Sequence, residues 1–293
     1  MKRFIITLAL ATLALFTASA AEKNKTYDFG DITSISAGSN FKVYVTYGRS
    51  DKVKVVYDSD LEKYADLDIR YHAGRLSLNL KQDKPLKSWT SEINQVQVYL
   101  EMDEISLIEM SGAAKATFTG SFDTETLNLD VSGAASVHDL NITGQALDAD
   151  ISGAANATLT GSFPEKIDID LSGAAKMSMN ADSDILKADV SGAGKLLCSG
   201  RYNECYICCS GASNADISGK TVKAEYECSG ASSIEAKELT ARTAEVELTG
   251  ASKATIYASD DLHYNVSRAS KMVYYGNAKL HNHNEDTNIV KGR

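Results

Sequence analysis

Acidic side chains recur along the chain at a fixed distance from a short Ser-Gly-Ala motif, and this spacing could build a cation or ligand site. Two residues before successive copies of the motif stand Glu109, Asp130, Asp150, Asp170, Asp189, Glu227 and Glu247. Four residues before the motif stand Asp148, Asp168, Glu225 and Glu245. Carboxylate oxygens repeated along a rigid sheet suit Ca²⁺, which is a hard cation. The pattern therefore predicts a ligand or cation site formed by Asp130, Asp150, Asp170, Asp189, Asp148 and Asp168.

The same carboxylates also have a structural interpretation. A solvated acidic face discourages a sheet from pairing with other chains. Lysines four residues after the motif could balance its charge, namely Lys115, Lys176, Lys195, Lys253 and Lys271. The glycine-rich nonapeptide that binds calcium in repeat toxins is absent from the sequence. Both interpretations stay open at this point.

Paired carboxylates also perform glycoside cleavage, so a polysaccharide lyase or hydrolase is the enzymatic alternative. A catalytic site on a repetitive face should break the repeat with an unusual residue. The residues that do so are Tyr206, His263, Arg201 and Arg268. They form no recognisable acid–base set, and the sequence contains no nucleophile elbow, phosphate loop or His-Glu-x-x-His motif. We therefore predict a protein that is not an enzyme and has no catalytic residues.

Five cysteines lie within 31 residues of one another: Cys198, Cys205, Cys208, Cys209 and Cys228. The Cys205-x-x-Cys208 spacing is that of a redox pair or of half a zinc site, but a second such pair is missing. Their positions relative to the motif place Cys209 and Cys228 inward and Cys208 outward. This favours small core residues for most of the thiols.

Two histidines near the end of the chain have the spacing of metal ligands. His281-x-His283, followed by Glu285 and Asp286, would present two imidazoles on one face of a strand. The segment lies in a polar tail, where a solvated loop is the simpler interpretation. We predict no metal ligand set here.

These residues must be positioned by the repeat itself. The motif occurs nine times, beginning at Ser111, Ser132, Ser152, Ser172, Ser191, Ser210, Ser229, Thr249 and Ser267. The spacing runs from 18 to 21 residues, and the last copy reads Ser-Arg-Ala, as a terminal unit can. A period of this length indicates stacked structural repeats.

Apolar residues alternate with polar ones on both sides of the motif. The positions one before, three before and five after it are apolar or small in every copy, for example Ile151, Ala149 and Ala157. A period of two indicates β-strands rather than helices. We predict an all-β fold, a single-stranded parallel β-helix or solenoid with coils of about 20 residues, right-handed because parallel crossovers favour that hand.

The chain divides into four parts on this pattern. Residues 1–20 have the basic start, apolar stretch and Ala-Ser-Ala end of a signal peptide, which predicts export to the periplasm, the cell surface or the medium. Residues 21–110 alternate less regularly and predict N-terminal coils or a cap, with a loop over 81–91 that holds Pro85 and Trp89. Residues 111–276 hold the nine repeats, and residues 277–293 form a tail.

The charge excludes some classes of partner. The formal net charge is −9, whereas nucleic acids and anionic lipids need a basic face. No segment after the leader is apolar enough to cross a membrane. The remaining partners are a glycan or an envelope or surface protein, and exposed solenoid ends leave a homo-oligomer possible.

The chain resembles a known bacterial family. Phe29-Gly30-Asp31-Ile32, the alternating Phe41-x-Val-x-Val45, the strand Arg75-Leu76-Ser77-Leu78 and the repeated Ser-Gly-Ala coils are similar to auto-transporter adhesin head domains, or GIN domains. The resemblance covers nearly the whole mature chain. It implies an exported β-helix-like protein of the kind common in Bacteroidetes, in a family without an established biochemical activity, and it assigns no functional residues.

Overall fold

The computed structural model describes residues 22–82, 95–283 and 288–292. The leader at 1–20, Pro85, Trp89, Glu285 and Asp286 lie outside the described residues. The described chain contains one 3-10 helix, Ser59–Lys63, and these strands: β1 Glu22–Asp28, β2 Ser34–Ala37, β3 Phe41–Tyr47, β4 Lys52–Asp58, β5 Ala65–His72, β6 Arg75–Gln82, β7 Val96–Met102, β8 Leu107–Met110, β9 Lys115–Thr119, β10 Phe122–Asp123, β11 Thr126–Val131, β12 Ser136–Thr143, β13 Ala146–Ile151, β14 Asn156–Leu171, β15 Lys176–Val190, β16 Lys195–Cys209, β17 Asn214–Cys228, β18 Ser233–Leu248, β19 Lys253–Val266, β20 Lys271–Tyr275, β21 Lys279–Asn282 and β22 Ile289–Lys291.

Successive repeats stack in parallel, which confirms the predicted β-solenoid. The structure has about nine turns of about 20 residues each. Residues at equivalent repeat positions are partners in the ladder, so that Asp150 on β13 lies beside Asp170 on β14. The strand before each motif pairs with the strand before the next, and the strand after it does likewise. Each coil therefore contributes one row to each of two surfaces.

The Ser-Gly-Ala motif is the turn that joins these two surfaces. Gly173 has φ +71°, in the left-handed region that favours glycine. A Cβ on this residue would lie 2.7 Å from the carbonyl oxygen of Gly153 in the preceding coil. The Ala174 N–H donates to that same oxygen at 2.7 Å. The backbone ladder therefore continues through the turns, and it leaves no space for a side chain at the glycine.

The core has the alternation that the sequence predicts. Residues one before, three before and five after the motif are buried, as Ile151, Ala149 and Ala157 show. The small residue after the motif alanine is also buried, and in four later coils it is a serine. The hydroxyl of Ser213, for example, donates to the carbonyl of Val190 at 2.9 Å. These inward serine hydroxyls are thus bonded to the backbone of a neighbouring coil, whereas the buried hydroxyls of Ser136 and Tyr226 have no hydrogen-bond partner among the described residues.

The N-terminal region departs from simple parallel stacking. Strands β2 and β3 lie between the β6–β7 layer and the β8–β9 layer, although they precede both in sequence. Three pairings are antiparallel: β5 with β6, β1 with β4, and β4 with β7. These strands are the less regular N-terminal part that the sequence predicts, and here antiparallel pairs lie beside the parallel ones. Short connections such as Ala73-Gly74, where both φ values are positive, allow a strand to turn back beside its neighbour.

Candidate functional site

The predicted acidic residues form two neighbouring columns on one surface, which we call the acidic face. The first column is Glu109, Asp130, Asp150, Asp170, Asp189, Cys208, Glu227, Glu247 and Asn265. The second is Leu107, Asn128, Asp148, Asp168, Lys187, Tyr206, Glu225, Glu245, His263 and His281. All six predicted site residues therefore lie on this face, because residues two apart on a strand point to the same side.

Crowding of the carboxylates has an electrostatic cost. Partial burial, followed by the charges of Asp150 and Glu109, raises the pKa of Asp130. Burial and the neighbouring Asp189 and Asp168 raise the pKa of Asp170 in the same way. Both shifts mean that the folded protein disfavours the charged form at these positions.

Some of this charge is neutralised by lysines on the same face. Lys187 Nζ lies 3.2 Å from Asp189 and 3.9 Å from Asp168, and Lys166 also pairs with Asp168. Lys223 pairs with Glu225 at 3.5 Å. Within the described part of the chain, Asp130, Asp148 and Asp150 have no such ion pair.

The lysines predicted to balance the face lie elsewhere. Lys115, Lys176, Lys195, Lys253 and Lys271 occupy a column on the other surface, beyond the motif turn. Lys176 and Lys195 are direct ladder partners there, as are Lys253 and Lys271. The prediction that they neutralise the acidic columns was wrong, because the turn separates the two surfaces. The signal for the true partners was available, since Lys187 stands four residues before Ser191, in register with Asp168.

A recess interrupts the acidic face where the repeat is broken. It has a volume of about 410 Å³, and its polar lining is Lys187, Asp189, Tyr206, Cys208, Glu225 and Glu227. A smaller depression of about 190 Å³ adjoins it across Cys208 and Glu227. The cause is local: Cys208 replaces a longer carboxylate in the first column, and Tyr206 replaces one in the second.

Tyr206 supplies an aromatic surface beside the recess. Its ring is half-buried, and its hydroxyl donates to Glu204. Lys223 Nζ lies 5.4 Å from the ring centroid, within the range of a cation–π contact. The hydrogen bond and the cation both restrict the orientation of the ring, so this platform is preformed.

The thiol in the recess is not a nucleophile at neutral pH. Partial burial, assisted by Asp189 and Glu227, raises the pKa of Cys208 to about 11. The thiolate is the reactive form, and it is therefore scarce. Cys205 is fully buried on the opposite side of the same strand, which does not suit a Cys-x-x-Cys redox pair. Cys198, Cys209 and Cys228 are likewise buried thiols, in agreement with the core interpretation.

The remaining repeat-breaking residues are distributed over the solenoid. Arg201 lies on the bend opposite the motif turn, where its Nε donates to Asp182 at 3.0 Å. Arg268 lies in the last motif turn. Neither lines the recess. The structure thus brings Tyr206, but neither arginine, to the lining of the recess.

Three histidines gather at the C-terminal end of the second column. His263 and His281 are ladder partners, and their rings stack with centroids 4.4 Å apart. His263 Nδ1 lies 3.3 Å from His283 Nε2, and His281 Nε2 lies 2.8 Å from Asp261. Throughout 22–82, 95–283 and 288–292, no three His, Cys, Asp or Glu side chains are arranged together to hold a metal ion. The same ranges contain no helix long and apolar enough to cross a membrane.

One protein-family model matches most of the chain. It is described as "Putative auto-transporter adhesin, head GIN domain", and it matches twice, over residues 31–177 and 163–278. The two matches together span the N-terminal coils and the nine repeats. No curated protein matches the sequence.

The chain also resembles solved structures of bacterial proteins. A putative adhesin from Parabacteroides distasonis has a TM-score of 0.51 and 14% identity, covering 93% of this chain and 97% of its own. A putative adhesin from Parabacteroides merdae has a TM-score of 0.47 and 15% identity, covering 93% and 96%. A putative lipid binding protein from Parabacteroides distasonis has a TM-score of 0.37 and 15% identity, covering 92% and 94%. At 14% identity, the likeness to the Parabacteroides distasonis putative adhesin shows the fold alone.

Proposed function

Because the chain belongs to the family described as "Putative auto-transporter adhesin, head GIN domain", we propose that it is an exported, non-enzymatic binding protein of the cell envelope. Its ligand is a glycan, bound at the recess around Tyr206 on the acidic face. The leader at 1–20 directs it to the periplasm, the cell surface or the medium. The acidic columns on either side, including Asp130, Asp150, Asp170, Asp148 and Asp168, extend the ligand-facing surface.

The observation that carries this proposal is the coincidence of the recess with the break in the repeat. On β16 both columns lack a carboxylate, at Tyr206 and Cys208, and the recess lies there. A binding site needs such a concave surface with a few placed polar groups. The C–H face of a sugar is attracted to the electron-rich face of an aromatic ring. Asp189, Glu225 and Glu227 would then accept hydrogen bonds from the sugar hydroxyls.

A carbohydrate-active enzyme on the same face is the second candidate. It is favoured by the carboxylates next to a sugar-sized recess. Against it, the regular columns single out no acid–base pair, and the one thiol in the recess is protonated at neutral pH. A protein ligand with a basic surface would use the columns rather than the recess, and a second copy of the chain would use the solenoid ends.

The test is a glycan array probed with the purified protein and with two variants. We expect the wild type to bind a subset of glycans and Tyr206→Ala to lose at least tenfold in affinity, equivalent to about 1.4 kcal/mol. Tyr99→Ala is the matched control, because Tyr99 is an exposed tyrosine stacked on Tyr44 outside the recess.

Three other outcomes would contradict the proposal. Equal glycan affinity of the wild type and Tyr206→Ala would show that the glycan binds outside the recess. Release of reducing ends, or of an unsaturated sugar, from bound polysaccharide would show that the protein is a carbohydrate-active enzyme. Binding to no glycan, together with salt-sensitive binding to a basic envelope protein, would favour the acidic columns as a protein interface.

A further inference from the structure

Two cysteines of the core lie side by side on successive coils. Cys209 is the last residue of β16 and Cys228 the last of β17, and the two are direct ladder partners. Both are buried, with exposed fractions of 0% and 3%. Neighbouring strands lie about 4.8 Å apart, and the Cα atoms of disulfide-bonded cysteines lie about 4.4–6.8 Å apart. The stacking of these coils therefore holds the two residues at a separation that a disulfide can span.

The other three cysteines lack a partner of this kind. Cys198 and Cys205 have apolar ladder partners in both neighbouring coils. Cys208 lies on the acidic face, between Asp189 and Glu227. The register of the coils thus selects one pair of thiols out of five.

The two thiols of this pair also influence each other's ionisation. Hydrogen bonding with Cys228, followed by burial, raises the pKa of Cys209. Hydrogen bonding with Cys209 lowers the pKa of Cys228. Cys228 is therefore the first of the two to form a thiolate, which is the form that attacks a disulfide. Both residues line the depression of about 190 Å³ beside the recess, so the pair lies just beneath the surface.

We propose that Cys209 and Cys228 form a disulfide bond that links two successive coils beneath the acidic face. The oxidant is a small or protein disulfide, such as oxidised glutathione. The Cys228 thiolate attacks one sulfur of the oxidant, which releases one thiol and leaves a mixed disulfide. Cys209 then attacks the Cys228 sulfur and releases the second thiol. Two protein thiols are oxidised to one disulfide, and the oxidant is reduced to two thiols that carry the two protons.

Formation of this bond in the cell rests on the export proposed above, because oxidising compartments favour disulfides. Formation of the bond in the purified protein rests only on the geometry of the two coils. The thiol chemistry and the glycan array are separate measurements, so each proposal can fail without the other.

The test is refolding of the reduced, unfolded protein in a mixture of oxidised and reduced glutathione, followed by alkylation of the remaining thiols in denaturant. We expect three of the five cysteines to be alkylated, and all five after reduction. Trypsin cleaves after Lys220 and Lys223, so the bond joins peptide 202–220 to peptide 224–237. Mass spectrometry identifies this joined pair of peptides, which reduction separates.

Variants identify the bonded sulfurs, because peptide 202–220 also contains Cys205 and Cys208. Cys209→Val and Cys228→Val should each abolish the joined pair. Valine suits this core column, since Val190 holds the equivalent position in the preceding coil. Cys208→Ala is the matched control and should leave the joined pair unchanged.

Thermal unfolding supplies a second measurement. Reduction should lower the melting temperature by about 5 °C in the wild type and in Cys208→Ala, and it should not change that of the two valine variants. Five alkylated thiols after oxidative refolding would overturn the proposal. A joined pair that survives in Cys209→Val would overturn it as well, because the bond would then involve another cysteine.

Discussion

At the scale of single residues, the repeat places carboxylates next to one another on the acidic face, where they repel each other. Stacking places identical carboxylates on adjacent strands, where like charges destabilise a sheet. Lys187 relieves this for Asp168 and Asp189, but Asp130 has no lysine partner among the described residues and lies between Asp150 and Glu109. The consequence is the raised pKa of Asp130.

Neutralising this residue should stabilise the protein. We expect Asp130→Asn to raise the free energy of unfolding at pH 7 by on the order of 0.5 kcal/mol, a small value because the site is largely solvated. The pKa of Asp130 is higher in the folded than in the unfolded state, so the folded state binds the proton more tightly. Wild-type stability therefore falls as the pH rises above the ordinary value of 3.8, and the gain from the variant should vanish at lower pH.

Urea unfolding at several pH values measures this effect. Asp168→Asn is the control. We expect it to lower the free energy of unfolding, since it removes the partner of Lys166 and Lys187. A loss of stability in Asp130→Asn at pH 7 would show instead that this carboxylate has a favourable partner.

At the scale of elements, the motif turn limits what each coil can tolerate. Every turn glycine from Gly112 to Gly250 has a positive φ and lies directly against the turn of the preceding layer. Packing therefore explains why the glycine recurs. The alanine that follows it is exposed, so core burial does not require an alanine at that position. The inward columns on both sides of the turn could be predicted from the sequence, because the period of two is a local property.

Substitution of one turn glycine should therefore be costly. We expect Gly173→Ala to lower the free energy of unfolding by about 2 kcal/mol or more, from the left-handed φ and from the contact with the Gly153 carbonyl. The midpoint of urea unfolding measures the loss. Ala174→Ser, an exposed position in the same turn, should change stability by less than about 0.5 kcal/mol. Equal effects of the two variants would contradict the packing argument.

At the scale of the whole molecule, charge is divided between two surfaces. Carboxylates dominate one surface and the lysine column lies on the other, so charges of one sign are neighbours along the solenoid. The formal net charge of −9 adds self-repulsion to this arrangement. Screening by salt should therefore stabilise the fold as a whole.

We expect the melting temperature to rise by roughly 2–4 °C when NaCl is raised from about 0.01 to 0.15 M, which shortens the screening length from about 30 to 8 Å. CaCl₂ at the same ionic strength should have the same effect if the face is only screened. An additional rise with calcium, removed by a chelator and absent in Asp150→Asn, would instead assign a calcium site to the acidic columns. Differential scanning fluorimetry with an external dye measures all of these conditions.

The sequence by itself determined the repeat, the turn residues, the inward columns and the composition of the acidic face. Each of these follows from spacing within about 20 residues, and a parallel stack repeats that spacing without change. The positions of Asp150 beside Asp170 and of Cys209 beside Cys228 could thus be predicted without coordinates.

Only the tertiary structure decided which columns meet, which strands turn back and where the face is concave. The insertion of β2 and β3 between later strands depends on which sheet edge is free, and this is a long-range property. The pairing of Lys187 with Asp168, and of His263 with His283, depends on the register between coils and on side-chain direction. Local periodicity contains none of this information, because the same pattern permits every order of stacking that buries the same faces.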